Sequence, residues 1–191
     1  MSLPDCFELY PAWIEKAEAT DLLALLTEQL PWEVQTITMF GRQVPVPRMT
    51  AWFGDEAYVY SGVVNVPSPM PQPLRLLNQQ LESQCQAEFN SCLANLYRTG
   101  DEYVGWHADN EPTLGARPTI ASISLGASRD FLIRHEKTGA KYGVKLSHGD
   151  LLVMRAESQS EYKHSLPKRK TVAEPRLNLT FRHFRSGGTK C

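Results

Sequence analysis

His107 and Asp109, two positions apart, form the first pair in the chain whose residue types suggest chemistry. In an extended segment, residues i and i+2 project to the same side, so an imidazole and a carboxylate at this spacing can meet one ion. An H-x-D pair arises often by chance, and a third ligand must come from a distant segment. His164, in Tyr162-Lys163-His164-Ser165-Leu166-Pro167, is the best-placed candidate. His148 sits in a Gly-Asp turn, His135 among basic residues, and His183 on the apolar side of a strand pattern; ordinary surface or turn histidines explain those three. Two histidines and one carboxylate leave about three positions of an octahedral ion open, as non-haem Fe(II) oxygenases require; four closed ligands would indicate structural zinc.

The stretch Arg176-Leu177-Asn178-Leu179-Thr180-Phe181-Arg182 alternates without a miss. Leu177, Leu179 and Phe181 face one side; Arg176, Asn178, Thr180 and Arg182 face the other. Alone, the pattern fits a half-exposed antiparallel strand. It also fits a barrel wall whose polar side lines a cavity, where two arginines need anionic partners because an unpaired buried charge costs several kcal/mol. A 2-oxo diacid connects the two features: its keto and near carboxylate oxygens chelate a metal, and its far carboxylate reaches Arg176. The order H-x-D, then H, then R-x-N-x-T-x-R favours the cavity.

The elements that position these residues follow from periodicity. Residues 20–30 read as an amphipathic helix closed by Pro31, with Ala19, Leu22, Leu23, Leu26 and Leu30 on one side. From Trp32 to Val46 the pattern is a hairpin with Met39 and Phe40 near its tip, its returning strand confined to an edge by Pro45 and Pro47. A short strand over 57–62 places Tyr58 and Tyr60 on one face. Pro67, Pro69, Pro71 and Pro73 lead into a second helix near 73–88, with Leu74, Leu77, Leu81 and Cys85 in register. Short strands follow at 91–98, 119–126, 129–135, 143–147, 151–155 and 176–184, separated by turns at 99–101, 126–128, 138–139 and 148–150. Strands at this spacing after two helices predict a jelly roll or barrel with helices packed outside.

A chain of 191 residues with 42% hydrophobic content can bury one full core. Its charge is unevenly spread: residues 1–133 carry 7 Lys/Arg against 16 Asp/Glu, and residues 134–191 carry 13 against 5. The split predicts an electropositive face including Arg134, Lys137, Lys141, Lys145 and Lys168-Arg169-Lys170, unless the fold interleaves the halves. Cys6, Cys85, Cys92 and Cys191 show no metal spacing; Cys85 and Cys92 read as buried small hydrophobes in a reducing compartment. Without a leader-like or eighteen-residue apolar stretch, the expectation is a soluble intracellular protein, cytoplasmic in a bacterium or nuclear in a eukaryote.

Taken together, Pro47-Arg48-Met49-Thr50, Tyr58-x-Tyr60-Ser61-Gly62, Asn95-Leu96-Tyr97-Arg98, Trp106-His107-x-Asp109-x-Glu111, Ile120 to Gly126, His164-Ser165-Leu166-Pro167 and Arg176 to Arg182 resemble the AlkB family. These are Fe(II)- and 2-oxoglutarate-dependent nucleic-acid demethylases, and the chain is most similar to the branch of human AlkB homologues two and three. The resemblance implies an α+β fold with a double-stranded β-helix (jelly-roll) core, N-terminal helices packed outside, and a nucleotide-recognition lid of hairpins. One domain spans 1–191: helices and lid over about 1–90, catalytic core over about 91–184, and a tail without fixed structure over 185–191. It implies iron ligation by His107, Asp109 and His164. Arg176 pairs with the distal carboxylate of 2-oxoglutarate, helped by Tyr97 and Asn178; Arg182 and Asn95 lie near its iron-chelating carboxylate, with Thr180 lining the same pocket.

The implied reaction is oxidative demethylation of N-alkylated bases of the 1-methyladenine and 3-methylcytosine type in DNA, with Fe(II), 2-oxoglutarate and O2, releasing succinate and formaldehyde. Such a methyl is hidden in a duplex, so the base must be flipped or unpaired. Tyr58, Tyr60 and Trp106 are candidate stacking faces, with Tyr60 and the ring of His107 as the chosen clamp. Met39-Phe40 resembles a finger that fills the vacated stack and favours duplex DNA over single strands, although a loop tucked onto the body has the same sequence pattern. Basic residues of the last third, with Arg48 nearer the pocket, hold phosphates. Glu111 is either a contact to the damaged base or a solvated carboxylate. The expected assembly is a monomer with no membrane partner. An oxygenase acting on RNA or on a protein is the alternative, and a non-catalytic barrel would have lost an iron ligand or Arg176.

Overall fold

The computed structural model describes residues 2–39, 42–54, 58–60, 63–65 and 67–185, and for 37–39, 43, 58–60 and 63–65 the backbone alone. In chain order the elements begin with β1 (Phe7–Tyr10), α1 (Lys16–Gln29), β2 (Thr36–Met39), β3 (Arg42–Pro45), β4 (Met49–Gly54), β5 (Tyr58–Tyr60), β6 (Val63–Asn65) and α2 (Gln72–Cys85). There follow β7 (Ser91–Tyr97), β8 (Val104–His107), β9 (Ile120–Gly126), β10 (Arg129–His135), β11 (Lys141–Leu146) and β12 (Leu151–Met154). The short α3 (Ser158–Glu161), β13 (Tyr162–Leu166) and β14 (Arg176–Arg182) complete the described chain.

The strands form a six-stranded antiparallel sheet in the order β1-β12-β9-β14-β7-β4 and a four-stranded one in the order β11-β10-β13-β8. From β7 onward the chain passes back and forth between the sheets, the winding of the predicted jelly roll. The hairpins β2-β3 and β5-β6 stand apart as separate two-stranded sheets. β14, paired on both edges, occupies the middle of the larger sheet. All seven of its residues are buried, so the surface-strand reading of its alternation does not hold.

Each side of β14 has its own environment. Leu177, Leu179 and Phe181 join a core with Leu26 of α1 and Leu74, Leu77 and Leu81 of α2, so both helices cover the outer face of the larger sheet. Burying each such side chain contributes about 1.5–3 kcal/mol. A second cluster, with Phe7, Ile120, Leu152 and Met154 from the larger sheet and Phe131, Ile133 and Leu146 from the smaller, joins the sheets face to face. Cys85 and Cys92 are buried, as their surroundings in the sequence suggest.

Element boundaries differ from the periodic reading for local reasons. α1 starts four residues before residue 20, because Lys16-Ala17-Glu18-Ala19 are strong helix formers and Ala19 is fully buried. α2 ends at Cys85 because Gln86 adopts a left-handed conformation with φ 51°, which terminates the helix before residue 88. Gly126, at φ 86°, makes the turn from β9 into β10, and a Cβ there would meet Pro175 O at 2.4 Å. The periodic reading also omits β1, β4, β6, β8 and β13; of these, β1 and β4 close the two edges of the larger sheet. Among the described residues no helix is long and apolar enough to cross a membrane.

Candidate active site

The predicted ligands come together through strand pairing. His164 of β13 lies directly across from His107 of β8, with ring centroids 4.3 Å apart and an interplanar angle of 62°. Asp109 follows β8 by two residues, and the ligand atoms of His107, Asp109 and His164 all lie within 4.8 Å of one another. The His107 Nδ1–H donates to Gly105 O at 2.8 Å, which leaves Nε2 free as a metal ligand. Phe131 stacks on the other imidazole, 5.1 Å from the His164 centroid.

Their ionisation suits a metal. Burial and the adjacent His107 hold His164 down to about 3, against the pull of Asp109, so its ring is neutral at physiological pH. Burial by itself would raise the Asp109 carboxyl; Arg182, then His164 and His107, outweigh it and leave the group ionised well below the usual carboxylate range. Arg182 binds Asp109 Oδ2 through Nη2 at 2.7 Å and Nε at 3.2 Å, on the opposite side of the carboxylate from Oδ1. Two imidazole nitrogens and one carboxylate oxygen form the donor set of a non-haem Fe(II) centre with open positions.

β14 and β7 build the wall beside the ligands. Arg176 faces Tyr97, Asn178 faces Asn95 and Thr180 faces Leu93 across the ladder, and all six line the cavity that holds the metal ligands. Arg176 is 3% exposed; its Nη2 donates to Ser124 Oγ at 2.8 Å, while its Nε is buried without a partner. Burial lowers its guanidinium only to about 10, so it stays charged. Among the described residues no carboxylate pairs with it. A buried cation with an unsatisfied donor, aimed into a cavity that also holds a metal triad, matches the far carboxylate of a 2-oxo diacid.

Several supporting residues carry no role in the sequence reading. Ser122 accepts from Asn178 Nδ2 at 2.8 Å, and Ser124 supports Arg176. Their alternation with Ala121, Ile123 and Leu125 was the available signal. Gln159, on α3, accepts the Asp109 backbone N–H at 2.8 Å. Arg129, 1% exposed, donates to the carbonyls of Glu102 at 2.9 Å and Pro167 at 2.8 Å, bracing the loops that follow β7 and β13. It and Arg176 both lie within cation–π reach of Tyr97, at 5.9 and 5.6 Å. Neither Gln159 nor Arg129 had a pattern to reveal it.

Two assignments require correction. Arg48, read as a phosphate contact, is buried and donates through Nε to Asn95 Oδ1 at 2.7 Å inside the cavity. β4 carries its neighbours into the larger sheet, which draws Arg48 inward. Trp106, read as a candidate stacking face for the flipped base, points outward instead. Two residue steps on β13, from His164 to Leu166, oppose three on β8, from Val104 to His107. This bulge turns both Val104 and His107 into the cavity and leaves Trp106 39% exposed on the far side. Glu111 stands at the start of the 3₁₀ turn Pro112–Leu114, its backbone carbonyl accepting from Leu114 N–H at 2.9 Å, and is partly buried outside the cavity lining. Met39 ends β2, and Tyr58 and Tyr60 bound β5; their side chains, and Phe40 altogether, lie outside the described residues.

The chain is similar to known oxygenases in sequence and in fold. The model of the 2OG-Fe(II) oxygenase superfamily matches residues 7–182. The chain is 39% identical over 184 residues to the alpha-ketoglutarate-dependent dioxygenase alkB homolog 3 of Homo sapiens, covering 91% of this chain and 64% of that protein. It is 34% identical over 186 residues to the DNA oxidative demethylase ALKBH2 of Mus musculus, covering 91% of this chain and 78% of that protein. In fold it is similar to the structure of OsALKBH1, with a TM-score of 0.70 at 18% identity, covering 96% of this chain and 100% of that one. An oxidoreductase of the 2OG-Fe(II) oxygenase family from Burkholderia pseudomallei gives 0.63 at 17% identity, over 92% and 84% of the two chains. The chain thus spans just under two thirds of the alkB homolog 3 relative, and it belongs to the AlkB family of the 2OG-Fe(II) oxygenase superfamily.

Proposed function

We propose that this chain is an Fe(II)- and 2-oxoglutarate-dependent dioxygenase that removes N-methyl groups of the 1-methyladenine and 3-methylcytosine type from DNA, a direct reversal of alkylation damage inside the cell. The observation that carries the reading is the buried, unpaired Arg176 in one cavity with His107, Asp109 and His164. The names of its relatives, a dioxygenase and a DNA oxidative demethylase, support the same reaction class.

When bound, Fe(II) would supply activation of O2 coupled to oxidative decarboxylation of 2-oxoglutarate to succinate and carbon dioxide. His107, Asp109 and His164 would hold it. Arg176 would take the far carboxylate of 2-oxoglutarate, with Tyr97 packed beneath the guanidinium. Arg182 keeps Asp109 ionised and oriented. Asn95, its Oδ1 already committed to Arg48, offers its amide N–H to the near carboxylate. Oxidation of the target N–CH3 to N–CH2OH, followed by cleavage of its C–N bond, returns the base and releases formaldehyde. No side-chain general base is needed for the oxidation.

The base would stack between His107 and Tyr60, and the hairpin β2-β3 would carry Met39 and Phe40 to the duplex. Phosphates would rest on the outer face of the smaller sheet, where Arg134 lies abreast of Lys141 on β11 and Lys163 on β13. Glu136 pairs with both Arg134 and Lys163, so three cations share one carboxylate there and the excess charge suits an anionic partner. Incubation with a 1-methyladenine oligonucleotide, Fe(II) and 2-oxoglutarate should release formaldehyde and succinate in equal amounts. Succinate without formaldehyde would contradict the proposed substrate. Phe40→Ala should reduce repair of duplex DNA far more than repair of single strands, measured side by side with RNA.

A further inference from the structure

The bulge that aims His107 inward has an outer consequence. It places Tyr103, one residue before β8, and Trp106 within it on the outside of this edge strand, 37% and 39% exposed. Each carries a cation on its ring: Lys168 Nζ lies 4.9 Å from the Tyr103 centroid and the Arg134 guanidinium 4.8 Å from the Trp106 centroid. Lys168 comes from the loop after β13, whereas Arg134 reaches across β13 from β10. Lys163, between them, shares Glu136 with Arg134, at 2.9 and 3.3 Å. An apolar ring held half open under a cation, repeated twice along one strand about 10 Å apart, has no packing purpose. It does have the composition of a single-strand platform: π-faces for bases beside cations for phosphates.

We propose that Tyr103 and Trp106 form an external stacking track for unpaired nucleotides next to the target base. The track rests on the proposed nucleic-acid substrate and narrows it to segments that are single-stranded beside the lesion. One ring face holds the cation and the other takes a base, so the adjacent phosphate meets Lys168 or Arg134. Stacking needs no particular base, which makes the track tolerant of sequence and of DNA or RNA sugar. A duplex, whose bases are already stacked, gains nothing from it.

The test uses the full chain loaded with Mn(II) and 2-oxoglutarate, and unmethylated 12-nucleotide single strands and the matching duplex as probes in fluorescence anisotropy. Tyr103→Ala/Trp106→Leu should weaken single-strand binding about tenfold and duplex binding less than about twofold, while Tyr103→Phe/Trp106→Phe restores the former. Tyr103→Ala alone, outside β8, should give part of the loss with the strand intact. Unchanged single-strand binding in the Ala/Leu variant, or equal losses for both probes, would overturn the track. A chain that shows this selective loss yet releases no formaldehyde from methylated strands would instead refute the demethylase reading and leave the track standing.

Discussion

Asp109 is gripped at two points: Gln159 takes its backbone N–H, and Arg182 takes one carboxylate oxygen. Gln159 is itself 3% exposed and fixed through Nε2 to Ser158 Oγ at 2.9 Å. Groups that orient a ligand from behind typically govern about 10- to 100-fold in metal affinity. Gln159→Leu should therefore weaken Co(II) or Mn(II) binding by at least about tenfold, read by titration calorimetry, while 2-oxoglutarate added at saturating metal still binds. Unchanged metal affinity would make Gln159 merely a packing residue. His107 and Asp109 were legible in the sequence as an i, i+2 pair and the polar side of β14 by its alternation, whereas His164 stood out only against the settings of the other histidines and through the family motif. Arg48 was not legible, because its guanidinium follows its neighbours into a wall that exists only after β4 pairs with β7. The outward side of Trp106 was, since a residue next to His107 in an extended strand points to the opposite face.

β14 is the element on which both core and cavity depend, since its odd residues face α1 and α2 and its even residues face the ligands. Phe181 is fully buried and packs edge-on to Phe89, with centroids 6.5 Å apart. Phe181→Ala should cost about 3–5 kcal/mol in chemical denaturation; a loss below about 1 kcal/mol would contradict its place in the core. A second brace joins β1 to the end of β12: Arg155 binds Glu8 at 2.8 and 3.0 Å and donates to Cys85 O at the end of α2 at 2.7 Å. The hydrogen bond from Arg155 lowers the Glu8 carboxyl below its ordinary value. A lowered carboxyl stabilises the fold above its unfolded value and loses that contribution as pH falls through the folded one. For a pair this exposed the effect is at most about 1 kcal/mol. Glu8→Gln should be less stable than wild type at neutral pH, with a deficit that begins to shrink only below the ordinary glutamate value of about 4.3 and vanishes below the lowered one, as thermal melts across pH would show. A deficit persisting in acid would point to lost packing instead. The helices and long strands were readable from period and Pro or Gly punctuation. β1, β4, β8 and β13 escaped because an irregular strand of a few residues has no period to detect; pairing partners far along the chain create it.

Across the whole molecule, fold and charge separate two jobs. The larger sheet and its helices supply stability, and the smaller sheet carries both metal-binding histidines inside and cations outside. The segregation of basic residues into the last third of the chain is plain from the sequence. Which of them meet is not, because that depends on Arg134, Lys141 and Lys163 coming together across two ladders. If these cations contact phosphates, Lys141→Gln/Lys163→Gln should reduce the slope of log affinity for single strands against log salt by about 1.4, or about 0.7 per lost contact. An unchanged slope would move the nucleic-acid path elsewhere. The most direct examination of the cavity is an anaerobic titration with Fe(II) and 2-oxoglutarate, followed by the visible charge-transfer absorption of their complex. One Fe(II) per chain should bind, with the band appearing only when 2-oxoglutarate is added. Asp109→Ala should abolish it, and Arg176→Met should require roughly a hundredfold more 2-oxoglutarate, as expected when a buried charge pair is broken. A band of undiminished strength in Asp109→Ala, or an unaltered requirement in Arg176→Met, would show that triad and guanidinium do not serve one site.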